Sequence, residues 1–235
     1  PLEVIAKEHG FFLPRGNDID GLDAEKKWKF TAKVKKGDKV KAGDVIGSVK
    51  EGIYEHKIFT PFNMKSVAEV TAIKEGDFTV KDKFCTIKFE DGDEKELGLA
   101  QEWPVRRPVP QKLYEERYSM RDYPSQPMVT TTRLVDGFFP VALGGTACVP
   151  GPFGAGKTVL QSLLSRYASV DIVIVVACGE RAGEVVETIT EFPEMIDPRT
   201  GKSLMDRTVI ICNTSSMPVA AREASIYTGI TMGEY

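Results

Sequence analysis

The sequence predicts two fold classes in succession: an all-β unit over residues 1 to 103 and an α/β unit with a parallel sheet over residues 129 to 235. Three observations carry this reading. Around Trp28, Phe30, Ala32 and Val34 the apolar side chains fall on even positions, while Lys27, Lys29, Lys33 and Lys35 fall on odd ones. That is the period of a half-buried strand. Further on, three short apolar runs at 146–150, 171–178 and 208–213 are each followed by a helical pattern, at 157–167, 183–191 and 218–228. Alternation of this kind, with strands apolar along their whole length, predicts a parallel sheet covered on both faces. The third observation is a glycine-rich stretch, 151–158, placed between the first of these runs and the first of these helices.

In the β part, the lysine run is expected to be a solvated sheet face rather than an anion patch, because Asp38, Asp44 and Glu51 follow closely. An internal echo appears at an offset of 39 residues: Val34-Lys35-Lys36-Gly37-Asp38 recurs as Ile73-Lys74-Glu75-Gly76-Asp77. Two similar β units with pseudo-twofold packing are predicted, with Gly37 and Gly76 in equivalent turns. The run GDKVKAGDVIG resembles the turns of barrel-sandwich domains of the biotinyl and lipoyl type, in which Gly supplies a positive φ and Asp bonds its own turn. That family works through a lysine at a hairpin tip. Here the tip near Glu51-Gly52-Ile53-Tyr54 has none, and Met64-Lys65 lies later, after Pro61, so no carrier role is expected. Prolines at 104, 108, 110, 124 and 127, with a charged stretch over 112–122, mark 104–128 as an extended linker.

Composition narrows the function classes. Charged residues make up 28% and hydrophobic ones 42%, an ordinary globular balance. A formal net charge of -3 argues against nucleic acid as the main partner, since such binding rests on neutralising phosphates. No run approaches the roughly 18 apolar residues of a membrane-spanning helix, so no direct membrane insertion is expected. The four cysteines show no CxxC spacing; Cys148, Cys178 and Cys212 lie in apolar strand-like runs and, with Cys85, are expected to be reduced core residues. Only His9 and His56 are present, too few for a His-rich metal site. No signal peptide is visible, which favours the cytoplasmic side, and the start at Pro1 without Met suggests removal of an upstream segment.

Gly151-Pro152-Phe153-Gly154-Ala155-Gly156-Lys157-Thr158 satisfies GxxxxGK[ST] between a predicted strand and a predicted helix, the context that makes this motif specific. Small residues let successive backbone N–H groups turn toward phosphate oxygens, and the helix N-terminus adds partial positive charge. Lys157 is expected to lie along the β- and γ-phosphates, and the Thr158 hydroxyl to hold Mg²⁺. The loop and the start of its helix, through Val159, are the predicted ATP/ADP contacts. The next apolar run ends in Gly179-Glu180-Arg181, which places a carboxylate and a guanidinium at the C-terminal edge of a parallel strand, where sites in such sheets lie. Glu180 there can polarise a water, and Arg181 can neutralise charge on the transferring group.

The runs GFFPVALGGTACVPGPFGAGKTV, GER, EFPEMIDPRTGKSLMDRTVIICNTSSMPVAAREASIYTGIT and EWPVRRP closely resemble the catalytic A subunits of V/A-type rotary ATPases, from about residue 1 to 235. The resemblance implies a RecA-like nucleotide-binding domain preceded by a barrel-sandwich insertion, the bulge domain. It also implies ATP with Mg²⁺, a hexamer in which A and B subunits alternate, central-rotor and peripheral-stalk subunits, and coupling to proton or sodium movement on the cytoplasmic face of a membrane. By motif, Lys157 and Thr158 hold nucleotide and metal, Glu180 activates the attacking water, and Arg181 contacts the γ-phosphate. The family commonly continues GER with Gly-Asn-Glu-Met, whereas Ala182-Gly183-Glu184-Val185 stands here; Glu184 is kept. Eukaryotic members carry a redox-active Cys where Ala155 stands, so a prokaryotic relative is expected. The resemblance further implies a strand ending in a magnesium-organising Asp after the helix near Pro218, adenine-holding aromatics, a C-terminal helical domain and an N-terminal β-barrel. The sequence is therefore expected to be a piece of a longer protein, inactive by itself. A docking module for stalk subunits and another RecA-like motor, such as a type III secretion ATPase or a transcription-termination helicase, are the alternatives; the helicase would want aromatic platforms in a basic groove, which residues 1 to 103 do not supply.

Overall fold

The computed structural model describes residues 2–10, 16, 19–107 and 123–235, which form two compact units: 2–103, and 123–235 with 104–107. The charged stretch of the expected linker lies outside the described residues. The all-β expectation fails at the start of the chain, where helix α1 spans Leu2–His9. Its sequence supplies Leu2, Glu3, Ala6, Lys7 and Glu8, good helix formers that outweigh the β-branched pair Val4-Ile5.

The first unit is otherwise built from eight strands: β1 (Trp28–Ala32), β2 (Lys39–Val40), β3 (Val45–Glu51), β4 (Tyr54–Phe59), β5 (Ala68–Ile73), β6 (Gly76–Phe78), β7 (Lys83–Phe89) and β8 (Glu94–Gly98). They form two four-stranded sheets, in the orders β4-β3-β1-β6 and β2-β5-β7-β8. Exchanging β1 to β4 for β5 to β8 converts one order into the other, so the repeat read from the sequence is present in the topology. Each half lends its short second strand to the sheet of the other. Side chains from both sheets meet in one core containing Phe30, Ile46, Val49, Val70, Phe84 and Ile87. The Phe30 and Phe84 rings lie 4.0 Å apart between centroids. Cys85 joins this core, and burial pushes its thiol up to about 11.

The equivalence of Gly37 and Gly76 needs correction. Gly37, at φ 95°, lies in a turn in which the Lys35 N–H donates to Asp38 Oδ2 at 2.7 Å. Gly76 instead opens strand β6, opposite Phe30. The turn that does recur is defined by its aspartate. The Lys41 N–H donates to Asp44 Oδ2 at 2.8 Å, and the Thr79 N–H to Asp82 Oδ2 at 2.7 Å. A five-residue echo locates such turns only to within a residue or two, because a side-chain cap and not the glycine closes them.

Gly47 has a packing role. A Cβ there would meet the Phe30 ring at 2.4 Å and Thr31 O at 2.5 Å. Gly47→Ala is accordingly expected to cost about 1–3 kcal/mol through overpacking, measured as a lowered urea midpoint; an unchanged midpoint would count against the packing of Phe30 over β3.

The second unit begins with β9 (Pro127–Met128), paired antiparallel to β10 (Val141–Ala142), so the expected linker ends in a short strand. Between them lies helix α2 (Arg133–Phe138), where Asp136 Oδ1 accepts from the Thr130 N–H at 3.0 Å and from the Thr130 hydroxyl at 2.6 Å. Those bonds hold the Asp136 carboxyl below its ordinary range. Then follow α3 (Lys157–Tyr167), β11 (Val173–Glu180), α4 (Ala182–Glu194), a 3₁₀ turn (Leu204–Arg207), β12 (Thr208–Thr214) and α5 (Val219–Glu234). Strands β11 and β12 pair in parallel, as the alternating pattern predicted. Helix α5 presses on β11 so closely that a Cβ on Gly229 would meet Val176 Cγ2 at 2.4 Å.

Two expectations fail in this unit. Residues 146–150 form no strand, and among the described residues no ladder pairs with them. An apolar run becomes a sheet strand only where a neighbour takes its N–H and C=O groups. Cys148 is consequently exposed. Cys178 is exposed as well, its thiol donating to Arg222 O at 3.1 Å, and Cys212 is half-buried, so of the four cysteines only Cys85 is a fully buried core residue.

A buried ion pair ties the unit together. Arg207 and Asp197 have side chains 2% and 1% exposed, with Nε 3.0 Å from Oδ2 but without hydrogen-bond geometry. The guanidinium donates to Val170 O at 2.9 Å and to Arg166 O at 3.0 Å, joining the end of α3 to the start of β12. Asp197 Oδ1 accepts the Arg199 N–H and Oδ2 the Thr200 hydroxyl, each at 3.1 Å.

Candidate functional site

The glycine-rich loop takes its shape from three local facts. Gly154 and Gly156 both sit at φ 81°, a left-handed backbone that favours glycine. The Ala155 N–H donates to Pro152 O at 3.2 Å and closes a turn at the crest. Gly156 then caps α3 with no side-chain hydrogen bond. The first-turn N–H groups of a helix lack intrahelical acceptors, so here they remain available at its positive end. Lys157, the first helical residue, folds its amine back over the loop and donates to Gly151 O and Pro152 O, each at 2.7 Å. Thr158 follows on the same turn. Val159 is 64% exposed and does not line the cavity described next.

At the far end of β11 the register shifts between Cys178 and Glu180, with Gly179 at φ 86°. A Cβ on Gly179 would lie 3.0 Å from Arg222 Nη1, the end of a flexible side chain, so it is the positive φ rather than space that favours glycine here. Glu180 remains paired with Thr214, and its carbonyl accepts the Ser215 N–H at 3.0 Å. The shift places Glu180 at the wall of a small cavity, about 80 Å³, bounded by α3, β11 and α4 and lined by Thr158, Gln161, Ser162, Glu180 and Glu184 among others. Thr158 and the strand-end Glu180 thus line one space, and Arg181 comes over the loop's Phe153 ring, with Cζ 4.4 Å from the centroid. Lys157 is directed at loop carbonyls rather than into the cavity.

Sequence reasoning named Glu184 only as a retained residue, and it passed over Gln161 and Ser162. The signal was available in their spacing. Gln161 and Ser162 follow Thr158 by three and four on one face of α3, and Glu184 stands in the first turn of the helix that follows the Glu180 strand end. Burial raises the Glu180 carboxyl above its ordinary value, helped by a side-chain hydrogen bond with Glu184 and by that group's charge. A raised carboxyl means that the folded state holds the proton more tightly than the unfolded one. Its contribution is therefore present at low pH and lost as pH rises from the usual Glu range through the raised value. Glu180→Gln, which keeps a neutral group at all pH, is expected to raise Tm by about 1–3 °C at pH 7, with the gain vanishing near pH 4; scanning calorimetry at both pH values checks this. A lower Tm at pH 7 would contradict the carboxylate pairing.

A loop with two left-handed glycines, opening a helix with Lys and Thr and facing a carboxylate at the end of a parallel strand, defines a P-loop nucleotide-binding protein. Residues 131–235 match the nucleotide-binding domain of the ATP synthase alpha/beta family, and residues 19–106 match the barrel-sandwich domain of ATP synthase alpha/beta subunits. Together the two matches take in most of the chain. It is similar throughout its length to V-type ATP synthase alpha chains: 58% identical over 236 residues to that of Borrelia hermsii (strain HS1 / DAH), 54% to that of Borreliella burgdorferi (strain ZS7) and 53% to that of Treponema denticola. All of this chain is covered in each case, and it spans about 40% of the length of these relatives. Among solved structures, a prototypical ATPase from the type III secretion system of pathogenic bacteria overlaps 60% of this chain and 36% of its own, at 25% identity and a TM-score of 0.47. No helix among the described residues is long and apolar enough to cross a membrane.

Proposed function

We propose that this chain supplies the phosphate-binding part of the site in the catalytic subunit of a V-type rotary ATPase, which couples ATP synthesis or hydrolysis to proton or sodium translocation. The observation that carries it is the convergence of Thr158 and Glu180 on one cavity, in a chain so similar to V-type alpha chains. In this reading the loop N–H groups from Gly154 to Thr158 bind phosphate oxygens, and Lys157 leaves the loop carbonyls for the β- and γ-phosphates. Glu180 orients the attacking water, and Arg181 meets charge on the γ-phosphate.

The residues present fit a magnesium ion. Thr158, Glu180 and Glu184 offer hard oxygen donors around the small cavity, and a nucleotide's own oxygens complete such a shell. Thr158 would hold the ion, which supplies neutralisation of phosphate charge. A hexamer with B subunits as the alternating neighbours, central-rotor and peripheral-stalk subunits, and a place on the cytoplasmic face of a membrane are parts of the same reading. So is a division of the chain at 1–103, 104–128 and 129–235.

The reading is tested by calorimetric titration of the chain with ATP. Lys157→Ala is expected to weaken binding by about 10- to 100-fold, the loss for a charge-assisted contact of roughly 1.5–3 kcal/mol. Equal affinity in the two proteins would remove Lys157, and the loop with it, from the site.

A further inference from the structure

Phe153 stands in the middle of the phosphate loop with 81% of its surface exposed, so core packing does not account for a large ring there. The backbone on either side of it is constrained. Pro152 restricts φ on one side, Gly154 turns left-handed on the other, and the bond from the Ala155 N–H to Pro152 O closes the crest. Over this ring lies the Arg181 guanidinium, with Cζ 4.4 Å from the centroid. Two carboxylates are near in sequence, Glu180 and Glu184, yet among the described residues Arg181 forms no ion pair with either.

We propose that Phe153 is a positioning residue whose ring holds Arg181 over the phosphate loop without neutralising it; this rests on the nucleotide-binding reading above. A carboxylate would also fix the guanidinium, but by occupying its N–H donors and cancelling its charge. The ring attracts the cation through its quadrupole and has no lone pair, so the five N–H donors and the full charge stay available to phosphate oxygens. Arg181 then requires little reorientation when a third phosphate arrives, and the benefit falls on ATP more than on ADP.

The test uses the 235-residue chain carrying ¹³C-labelled arginine. In NMR spectra the Arg181 δ-protons, assigned by their loss in Arg181→Lys, are expected to be displaced upfield by the ring. Phe153→Leu should abolish the displacement, and Phe153→Trp should retain it. In titrations Phe153→Leu is expected to weaken ATP binding by about two- to fivefold, the effect of losing one exposed cation–π contact. ADP binding should change less, Phe153→Trp should restore the ATP affinity, and in an Arg181→Ala background Phe153→Leu should cost nothing further. An equal loss in that background, or δ-protons indifferent to Phe153, would overturn the proposal. ATP affinity that does not depend on Lys157 would instead overturn the underlying nucleotide site, and the proposal with it, whatever Phe153 does.

Discussion

Glu180→Gln, placed in the full-length subunit and assembled with its partners, is expected to reduce ATP hydrolysis by about 10²–10⁴-fold, the usual contribution of a positioned general base. Nucleotide affinity should survive, because the substitution keeps the side chain's size and leaves the loop N–H groups and Lys157 in place. The environment of Glu180 fits this role. Partial burial and the neighbouring Glu184 raise its carboxyl, moving it toward the range in which a base can take a proton near neutral pH. The measurement is steady-state phosphate release beside a binding titration. Hydrolysis within tenfold of wild type would transfer the base to another residue, and Glu184, on the same cavity, is the first to examine.

Arg207→Met should have the largest effect on stability, a loss of about 3–5 kcal/mol, because it strands Asp197 in the interior without its partner. A protein of this kind has only about 5–15 kcal/mol in total, so the loss removes a large share of the second unit's stability. Desolvation makes the pair's own net stabilisation small, but the loss on breaking it is large, since Asp197 is 1% exposed and Arg166 O loses its guanidinium donor as well. Urea unfolding followed by circular dichroism gives the loss directly. Asp197→Asn with Arg207→Met should recover part of it; a single-variant loss below 1 kcal/mol would mean that water reaches the pair.

The phosphate loop, its helix and the strand-end Glu180-Arg181 are legible in the sequence because each rests on contacts a few residues long. Glycine spacing determines where φ turns positive, and the Lys-Thr pair follows it onto α3. Even the pairing of the two β halves could be inferred, since a repeated pattern implies a repeated unit. Periodicity reports which face of a segment is buried and does not name what covers it. For that reason the run 146–150 reads as a strand and is not one, and Cys148 and Cys178 read as core and are exposed.

The same limit applies to the site. Residue types alone identify Thr158, Glu180 and Arg181 as candidates. Only the packing of α3 and α4 against β11 puts Thr158, Glu180 and Glu184 around one cavity and lays Arg181 on Phe153 instead of on a carboxylate. The pairing of Asp197 with Arg207 is likewise a tertiary outcome. Both residues look like ordinary surface charges in a polar stretch, and they become buried because the turn between α4 and β12 folds back against the end of α3. Local spacing settles backbone conformation through sterics and short hydrogen bonds. Which distant side chain lies within 4 or 5 Å depends on how the packed elements share the limited space between them, and the tertiary structure alone decides it.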